Sequence, residues 1–350
     1  MLIAGDIGGT KTDLAIFSRE AGPHVPIAES KVRSADYRSL EDRVKEFLAN
    51  TRVKVDSACF AVAGPVIEGR VKTTNLPWVI DENSLAQELN LDKERVSVMN
   101  DLEAIARAVP ILRPTDVVTI NEGEGAARGA IAVIAPGTGL GESFLTWDGS
   151  RYRAHSSEGG HSDFAPSDQR QVRLLEYMFK KFEHVSFERV CSGVGIPNIY
   201  GFLRDVEGIP EDPEVARQVA LATDPSFVII DHAVDPANQS KLCAATIDIF
   251  ASILPSEAGN LALKVLATGG VYLAGGVSVH CLGVLQKPEF IRRFKRKGRF
   301  ADLLERIPVH VVVSPAGLVG AAAYGLEFLG DSEGDPLATN QRAGFSGRIA

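Results

Sequence analysis

Two glycine-rich stretches and two polar groupings hold the side chains of this sequence that could do chemistry. Gly5-Asp6-Ile7-Gly8-Gly9-Thr10 separates the apolar run that begins at Leu2 from Leu14–Phe17, and Pro136-Gly137-Thr138-Gly139-Leu140-Gly141 separates two further apolar runs within residues 129–147. Each reads as strand, glycine turn, strand. Glycine lets a backbone approach a ligand closely, and successive N–H groups in such a turn form a concavity that binds anions. One loop of this kind reads as an ordinary glycine-rich hairpin. Two of them, similarly framed, point to an internal duplication with two phosphate-facing turns. Gly5–Thr12 comes near the G-x-x-x-x-G-K-[ST] phosphate loop, but Thr10 stands where that motif has glycine, and a strand follows where it has a helix. The second turn is G-x-G-x-G, not the dinucleotide G-x-G-x-x-G.

Asn100-Asp101 sits where an apolar run meets a helical pattern. Asn and Asp are ordinary helix N-caps there. Equally, an ionised Asp at a strand end can accept a hydroxyl proton. Glu158-Gly159-Gly160-His161 places a carboxylate and an imidazole on a glycine turn, with Glu188 downstream. Three readings stay open for it: polar loop residues, a metal site, or a cradle in which Glu, His and Asn divide sugar hydroxyls.

These groups need a frame. The 350 residues, 45% hydrophobic and 23% charged, suit two domains or one bilobal unit. A net charge of −8 argues against nucleic acid as partner. No run is expected to reach the roughly 18 apolar residues of a membrane span, and the N-terminus reads as a strand rather than a signal peptide. Cys59, Cys191, Cys243 and Cys281 form no C-x-x-C, which favours four incidental thiols in a reducing cytosol over disulfides or zinc. Helices are expected from Ser39 as cap, from Ser84 as the start of a capping box, from Asn100 until Pro110, over Gln169–Phe182 and over Gly317–Leu329; strands over Ala58–Ala63, Arg95–Met99, Asp116–Ile120 and Val309–Val313, with a hairpin turning at Glu68-Gly69. Asp248–Leu266 is apolar but interrupted by Pro255 and Gly259, and Gly269–Gly276 reads as a strand ending in a glycine pair. The basic run Arg292–Arg299 reads as a solvated face, with a contact to nucleotide phosphate as the second reading. Residues 331–350 read as a flexible tail.

Seven ordered segments (GDIGGTKTDLAIF, AGPVIEGRVKTTNLPW, VMNDLEAIARAVP, APGTGLGESFL, EGGHSDFAPSD, HVSFERVCSGVGIPNIY and GGVYLAGGV) resemble the bacterial glucokinase family of the actin-like ATPase and sugar kinase superfamily. The resemblance covers residues 1–329. It implies an α/β, two-lobed actin-like (ribonuclease-H-like) fold with duplicated mixed sheets: a small domain 1–112, a large domain 113–317, and a helix 318–330 returning to the small domain, with the active site in the interdomain cleft. It implies transfer of the ATP γ-phosphate to the 6-hydroxyl of glucose with Mg2+, in a cytoplasmic homodimer at the first step of glycolysis, without nucleic acid or membrane as partner. By the same resemblance Asp101 is the general base; Asn100, Asp101, Glu158, His161 and Glu188 hold the sugar; Gly5, Asp6, Gly8, Gly9, Thr10, Gly137, Thr138, Gly139, Gly275 and Gly276 serve the nucleotide; and Asp6 holds Mg2+ through water. Lys11 is commoner in the related ROK sugar kinases, but no cysteine-rich zinc motif follows His161. The alternatives are a broader hexose or ROK-like kinase, or a non-catalytic sugar-sensing member.

Overall fold

The structure is a computed structural model and describes residues 1–73 and 76–328. Thr74 and Asn75 of the second segment and the 331–350 tail lie outside the described residues. The chain divides into two units, Met1–Val109 with the residues from Pro315 on, and Pro110–Ser314.

The first unit runs β1 (Leu2–Ile7), β2 (Lys11–Phe17), β3 (Ala28–Arg33), α1 (Leu40–Thr51), β4 (Ser57–Val62), β5 (Arg70–Lys72), β6 (Val79–Asp81), α2 (Glu82–Leu89), β7 (Val96–Asn100) and α3 (Asp101–Ala108). Its main sheet has the order β3-β2-β1-β4-β7, antiparallel as far as β1 and parallel from β1 onward. Successive residues of a strand face opposite sides. Ile3 and Ile7 of β1 therefore join Leu40, Val44 and Phe60 in one core. Leu2 and Ala4 join Ala104 of α3 and Leu318 and Ala321 near the chain end in the other. Asp6 shares the parity of Leu2 and Ala4, which decides where its carboxylate goes. The hairpin at Glu68-Gly69 forms as its sequence implies: both residues have positive φ, 52° and 73°, and Ile67 and Arg70 exchange backbone hydrogen bonds.

Ser39 caps α1, as expected, by accepting from the Asp42 N–H. α2 starts earlier than its capping-box pattern suggests. The Asp81 carboxylate, at the end of β6, accepts from Asn83 N–H at 2.8 Å and Ser84 N–H at 3.1 Å, so Ser84 lies inside the first turn.

The second unit runs β8 (Val117–Asn121), β9 (Ile131–Pro136), β10 (Leu140–Trp147), β11 (Tyr152–Ser157), α4 (Gln169–Phe179), α5 (Gly195–Asp205), α6 (Pro213–Leu221), α7 (Pro225–Val234), α8 (Lys241–Val265), β12 (Gly270–Leu273), α9 (Gly275–His280), α10 (Leu282–Leu285), α11 (Pro288–Phe294), α12 (Ala301–Glu305) and β13 (Val309–Val312). The last helix, α13 (Ala316–Phe328), belongs to the first unit. The second sheet has the order β11-β10-β9-β12-β13-β8. Its first five strands repeat the first sheet's pattern of two antiparallel and two parallel pairings, so the duplication implied by the paired glycine turns is present in the strand order.

Four expectations change here. α8 is one continuous helix through Pro255 and Gly259, not two pieces. Burial outweighs the proline's lost hydrogen bond: Phe250, Ile253, Leu254 and Ala258 are buried around it, each large apolar side chain contributing roughly 1.5–3 kcal/mol. Gly259 is there for proximity, since a Cβ would sit 2.6 Å from Phe294 O of α11. α8 is also long and apolar enough by composition to cross a membrane, contrary to the sequence estimate, but 78% of its apolar window is buried inside the protein, as in a core helix. α4 ends at Phe179, short of Phe182. Finally, β12 stops at Leu273, and the Gly275-Gly276 pair opens α9. The basic run is partly absorbed within the second unit: Arg293 pairs with Asp168 at 2.8 Å, Lys295 with Glu305 at 2.6 Å, and Lys297 reaches Ser256 O and Asn260.

Candidate active site

In the first unit the β1–β2 hairpin turns through Gly8, Gly9 and Thr10. Gly8 N–H closes on Lys11 O at 2.9 Å, while the Gly9 and Thr10 N–H groups meet no acceptor among the described residues. Ser34 pins the turn from the side: its N–H donates to Thr10 O at 3.0 Å, and its hydroxyl donates to Gly8 O at 2.8 Å and meets buried Thr12 Oγ1 at 2.9 Å. A turn fixed through its carbonyls, with N–H groups left over, suits an anion. Gly5 lies within β1, where a Cβ would strike Leu14 and Phe60, so its role is packing beneath the turn. Lys11 is exposed at the start of β2.

Asp6 ends up beside the start of α13, where a Cβ on Gly317 would lie 2.5 Å from Asp6 Oδ2. Part of its surface stays open, yet the surrounding protein removes enough water to push its carboxyl up to about 7, with Asp101 and then Asp13 adding to the shift and Lys31 opposing it. Lys31 itself pairs with Asp13.

Asn100 and Asp101 divide between them the two readings of their sequence. Asn100 is the N-cap of α3: its Oδ1 accepts from Leu102 N–H at 3.0 Å and Glu103 N–H at 3.4 Å, and its Nδ2 donates to Gly64 O at 2.9 Å. Asp101 accepts from the Leu102 N–H through Oδ1 at 2.9 Å, and its own backbone N–H also faces the carboxylate. Burial raises its proton affinity, and those backbone N–H groups oppose the rise. α13 holds α3 in place by close approach: a Cβ on Gly320 would overlap Ala104 O, and Arg107 lies 4.7 Å over the Tyr324 ring.

In the second unit Gly137, Thr138 and Gly139 turn between β9 and β10. Gly193 N–H donates to Gly137 O at 2.8 Å, and Val194 N–H to Thr138 O at 3.0 Å. Gly275 has a φ of +81° and no room for a Cβ beside Pro136 O, 2.5 Å away, which brings the Gly275-Gly276 pair against this turn. Glu188 accepts from Leu140 N–H at 3.0 Å, and a Cβ on Gly139 would overlap its carboxylate. His161 lies between two carboxylates, Nδ1 at 3.9 Å from Glu188 and Nε2 at 3.9 Å from Glu158. Glu158 is 82% exposed and His161 58%, whereas Glu188 is largely enclosed. The structure thus gathers Glu158, His161 and Glu188 into one acceptor-rich cluster, beside the glycine turn that Glu188 touches.

A glucokinase family model matches residues 3–327. The chain belongs to the glucokinase family. Glucokinase from Trichormus variabilis is 40% identical over 92% of this chain and 98% of its own length. The crystal structure of a glucokinase from an Antarctic psychrotroph superposes with a TM-score of 0.76 at 30% identity, covering 92% of this chain and 97% of that one. A ROK family glucokinase from Streptomyces griseus, solved with glucose and AMPPNP, shares the fold at a TM-score of 0.61 and 19% identity, over 92% of this chain and 97% of its own. The fold is accordingly the actin-like two-lobed one, and the chain is a sugar kinase, a phosphotransferase.

Sequence reasoning passed over two features that support these residues. Gly317 and Gly320 read only as small residues of a helix, yet they set the contacts of Asp6 and α3. Glu142, inside the apolar run of β10, is buried at 1% exposure with Glu257 of α8 at 0%. A carboxylate in a run of apolar residues that follows a glycine turn is the signal that could have found it.

Proposed function

We propose that this glucokinase-family chain transfers the γ-phosphate of ATP to the 6-hydroxyl of glucose, giving glucose 6-phosphate and ADP. Asp101 accepts the hydroxyl proton. One observation carries that role: Asn100 is the N-cap of α3 and alone takes the Glu103 N–H, so Asp101 is left with local backbone donors only, burial and a raised proton affinity at the head of the helix. Asn100, through the same end of α3, Glu158, His161 and Glu188 receive the sugar hydroxyls. The turns at Gly8–Thr10 and Gly137–Gly139 hold phosphate oxygens through backbone N–H groups, and Gly275-Gly276 lies along the adenosine. Phosphoryl transfer needs positioning and charge neutralisation more than covalent help from the protein, which fits a site built of turns and carboxylates.

Asp6 fits Mg2+. Its carboxyl is held near neutrality by burial and by neighbouring carboxylates, an arrangement that a divalent cation relieves. Among the described residues no three His, Cys, Asp or Glu side chains converge as a metal cage, which suits an ion bound through one carboxylate, waters and substrate phosphates. When bound, that ion neutralises charge on the transferring phosphate. The free, buried cysteines support a cytoplasmic setting, the glycolytic role follows from the product, and sedimentation equilibrium checks the homodimer. The deciding experiment is a coupled assay over a panel of hexoses and phosphoryl donors. Glucose with ATP should give the highest kcat/KM; another hexose or donor ahead by tenfold would overturn the assignment.

A further inference from the structure

The core beneath the sugar-facing loop contains a carboxyl pair that no step above uses. Along β10, Glu142 shares the parity of Leu140 and stands opposite Ile134 of β9, so it points into the apolar core of the second unit. Glu257 meets it from α8. Both are buried; among the described residues Glu142 Oε1 accepts no hydrogen bond, and Glu257 Oε1 has only Lys264 Nζ, 3.6 Å away. One proton placed between them would satisfy both oxygens. The other Glu142 oxygen lies directly under the loop: a Cβ on Gly159 would overlap Oε2, and Gly159 N–H is tied to Ser157 Oγ at 2.9 Å. Gly159 and Gly160 link Glu158 to His161, and Gly160 O accepts from Glu188 N–H at 2.9 Å. The Glu142 carboxyl therefore lies against the glycine that joins Glu158 to Gly160 and His161.

We propose that Glu142 is a positioning residue for the sugar: a proton shared with Glu257 leaves the pair under Gly159 with a single negative charge, which Lys264 faces, and loss of that proton displaces the Glu158–His161 loop and weakens sugar binding. This rests on the reading of Glu158, His161 and Glu188 as sugar ligands. Two unprotonated carboxylates cannot stay together in an apolar core. Glu142 cannot move toward solvent without pressing on Gly159. The ionisable groups on the elements packed around the pair are Lys264 of α8, Lys297 beyond it, Cys191 and Glu188 of the 186–195 loop, Cys281, His155 of β11, and Glu158 and His161 themselves. Lys264 reaches Glu257 at 3.6 Å and favours the ionised form, and Lys297 does the same from farther off. Burial nonetheless dominates for both carboxyls, and on Glu142 the charge of Glu257 adds to it, so the pair keeps its proton well above the ordinary carboxylate range.

The test follows the KM for glucose and kcat from about pH 6 to about pH 9 in the wild type, Glu142→Gln, Glu257→Gln and Glu158→Gln. The wild-type KM should climb toward alkaline pH, by up to about tenfold per pH unit for one proton, with kcat at saturating glucose little changed. Glu142→Gln and Glu257→Gln should each abolish that rise, because an amide stays neutral and still donates. A rise in either variant equal to that of the wild type overturns the proposal. Hydrogen exchange at Gly159–His161 needs no variant: corrected for intrinsic rates, protection should drop at alkaline pH, and constant protection refutes the mechanism. If Glu158→Gln leaves the KM at neutral pH unmoved, the sugar-site reading itself fails, which is a distinct result from an unaltered Glu142→Gln profile.

Discussion

Replacing Asp101 by Asn tests the catalytic reading against the capping one most directly, and the structure fixes both expectations. Losing an N-cap costs about 1 kcal/mol. Here the cap is Asn100, which keeps its bonds to Leu102 and Glu103 N–H and to Gly64 O. The hydrogen bond Asp101 accepts from Leu102 N–H at 2.9 Å is also available to an amide oxygen. Stability should therefore change by no more than about 0.5 kcal/mol, the range of a substitution that breaks no packing or cap. The charge matters more. Asp101 is one of the groups that raise the proton affinity of Asp6, so Asp101→Asn should also let the Asp6 carboxyl fall from its raised value of about 7. Turnover loses its proton acceptor, a group that typically contributes about 10²–10⁴-fold. A coupled spectrophotometric assay for kcat and KM, with thermal melting on the same sample, reads both quantities. A variant that melts with the wild type and turns over within a few-fold of it would refute the role of Asp101 as base.

The remaining expectations concern neighbouring parts of the molecule. Without ligand, stability should fall as pH rises from about 4 toward 7, because folded Asp6 keeps a proton to about 7 that the unfolded chain, with a value of 3.8, has already released; the slope is at most about 1.4 kcal/mol per pH unit. Melting curves of Asp6→Asn should be flatter over that window than wild type, and an identical slope would discount the raised value. Glu158→Gln and His161→Ala should raise the KM for glucose about 5- to 150-fold, the equivalent of roughly 1–3 kcal/mol for an unpaired hydroxyl; a wild-type KM in both removes them from the sugar site. Gly320→Val should destabilise the first unit by about 1–3 kcal/mol and cut turnover by moving α3, since even a Cβ overlaps Ala104 O; an unchanged melting temperature would show that α13 packs elsewhere. The thiols of Cys59 and Cys191, fully enclosed and with burial pushing their thiolate formation to high pH, should resist a thiol reagent until the protein unfolds.

What the sequence determined by itself was local. Glycine and threonine between apolar runs dictate a turn wherever they stand, so both glycine turns, the Glu68-Gly69 hairpin and the helix capped by Ser39 were legible. The repeated strand–turn–strand pattern even exposed the duplication, because that hairpin holds the same place, second and third from one edge, in each sheet. Seven ordered segments carried the family. What remained open depended on residues far apart in the chain. The choice between Asn100 and Asp101 as cap turned on the direction of two adjacent side chains and on Gly64 as a third partner. The proton affinity of Asp6 comes from strand parity and from a helix more than three hundred positions away, which no local pattern encodes. Pro255 and Gly259 read as a break because proline and glycine disfavour helices locally, but burial of the residues around them supplies more free energy than the defect removes. Glu142 looked like one charge in a strand; only the arrival of α8 on the same face makes it half of a buried pair. Turn chemistry acts over a few residues and survives in the sequence, whereas desolvation and close approach are properties of surroundings that exist only once the chain has folded.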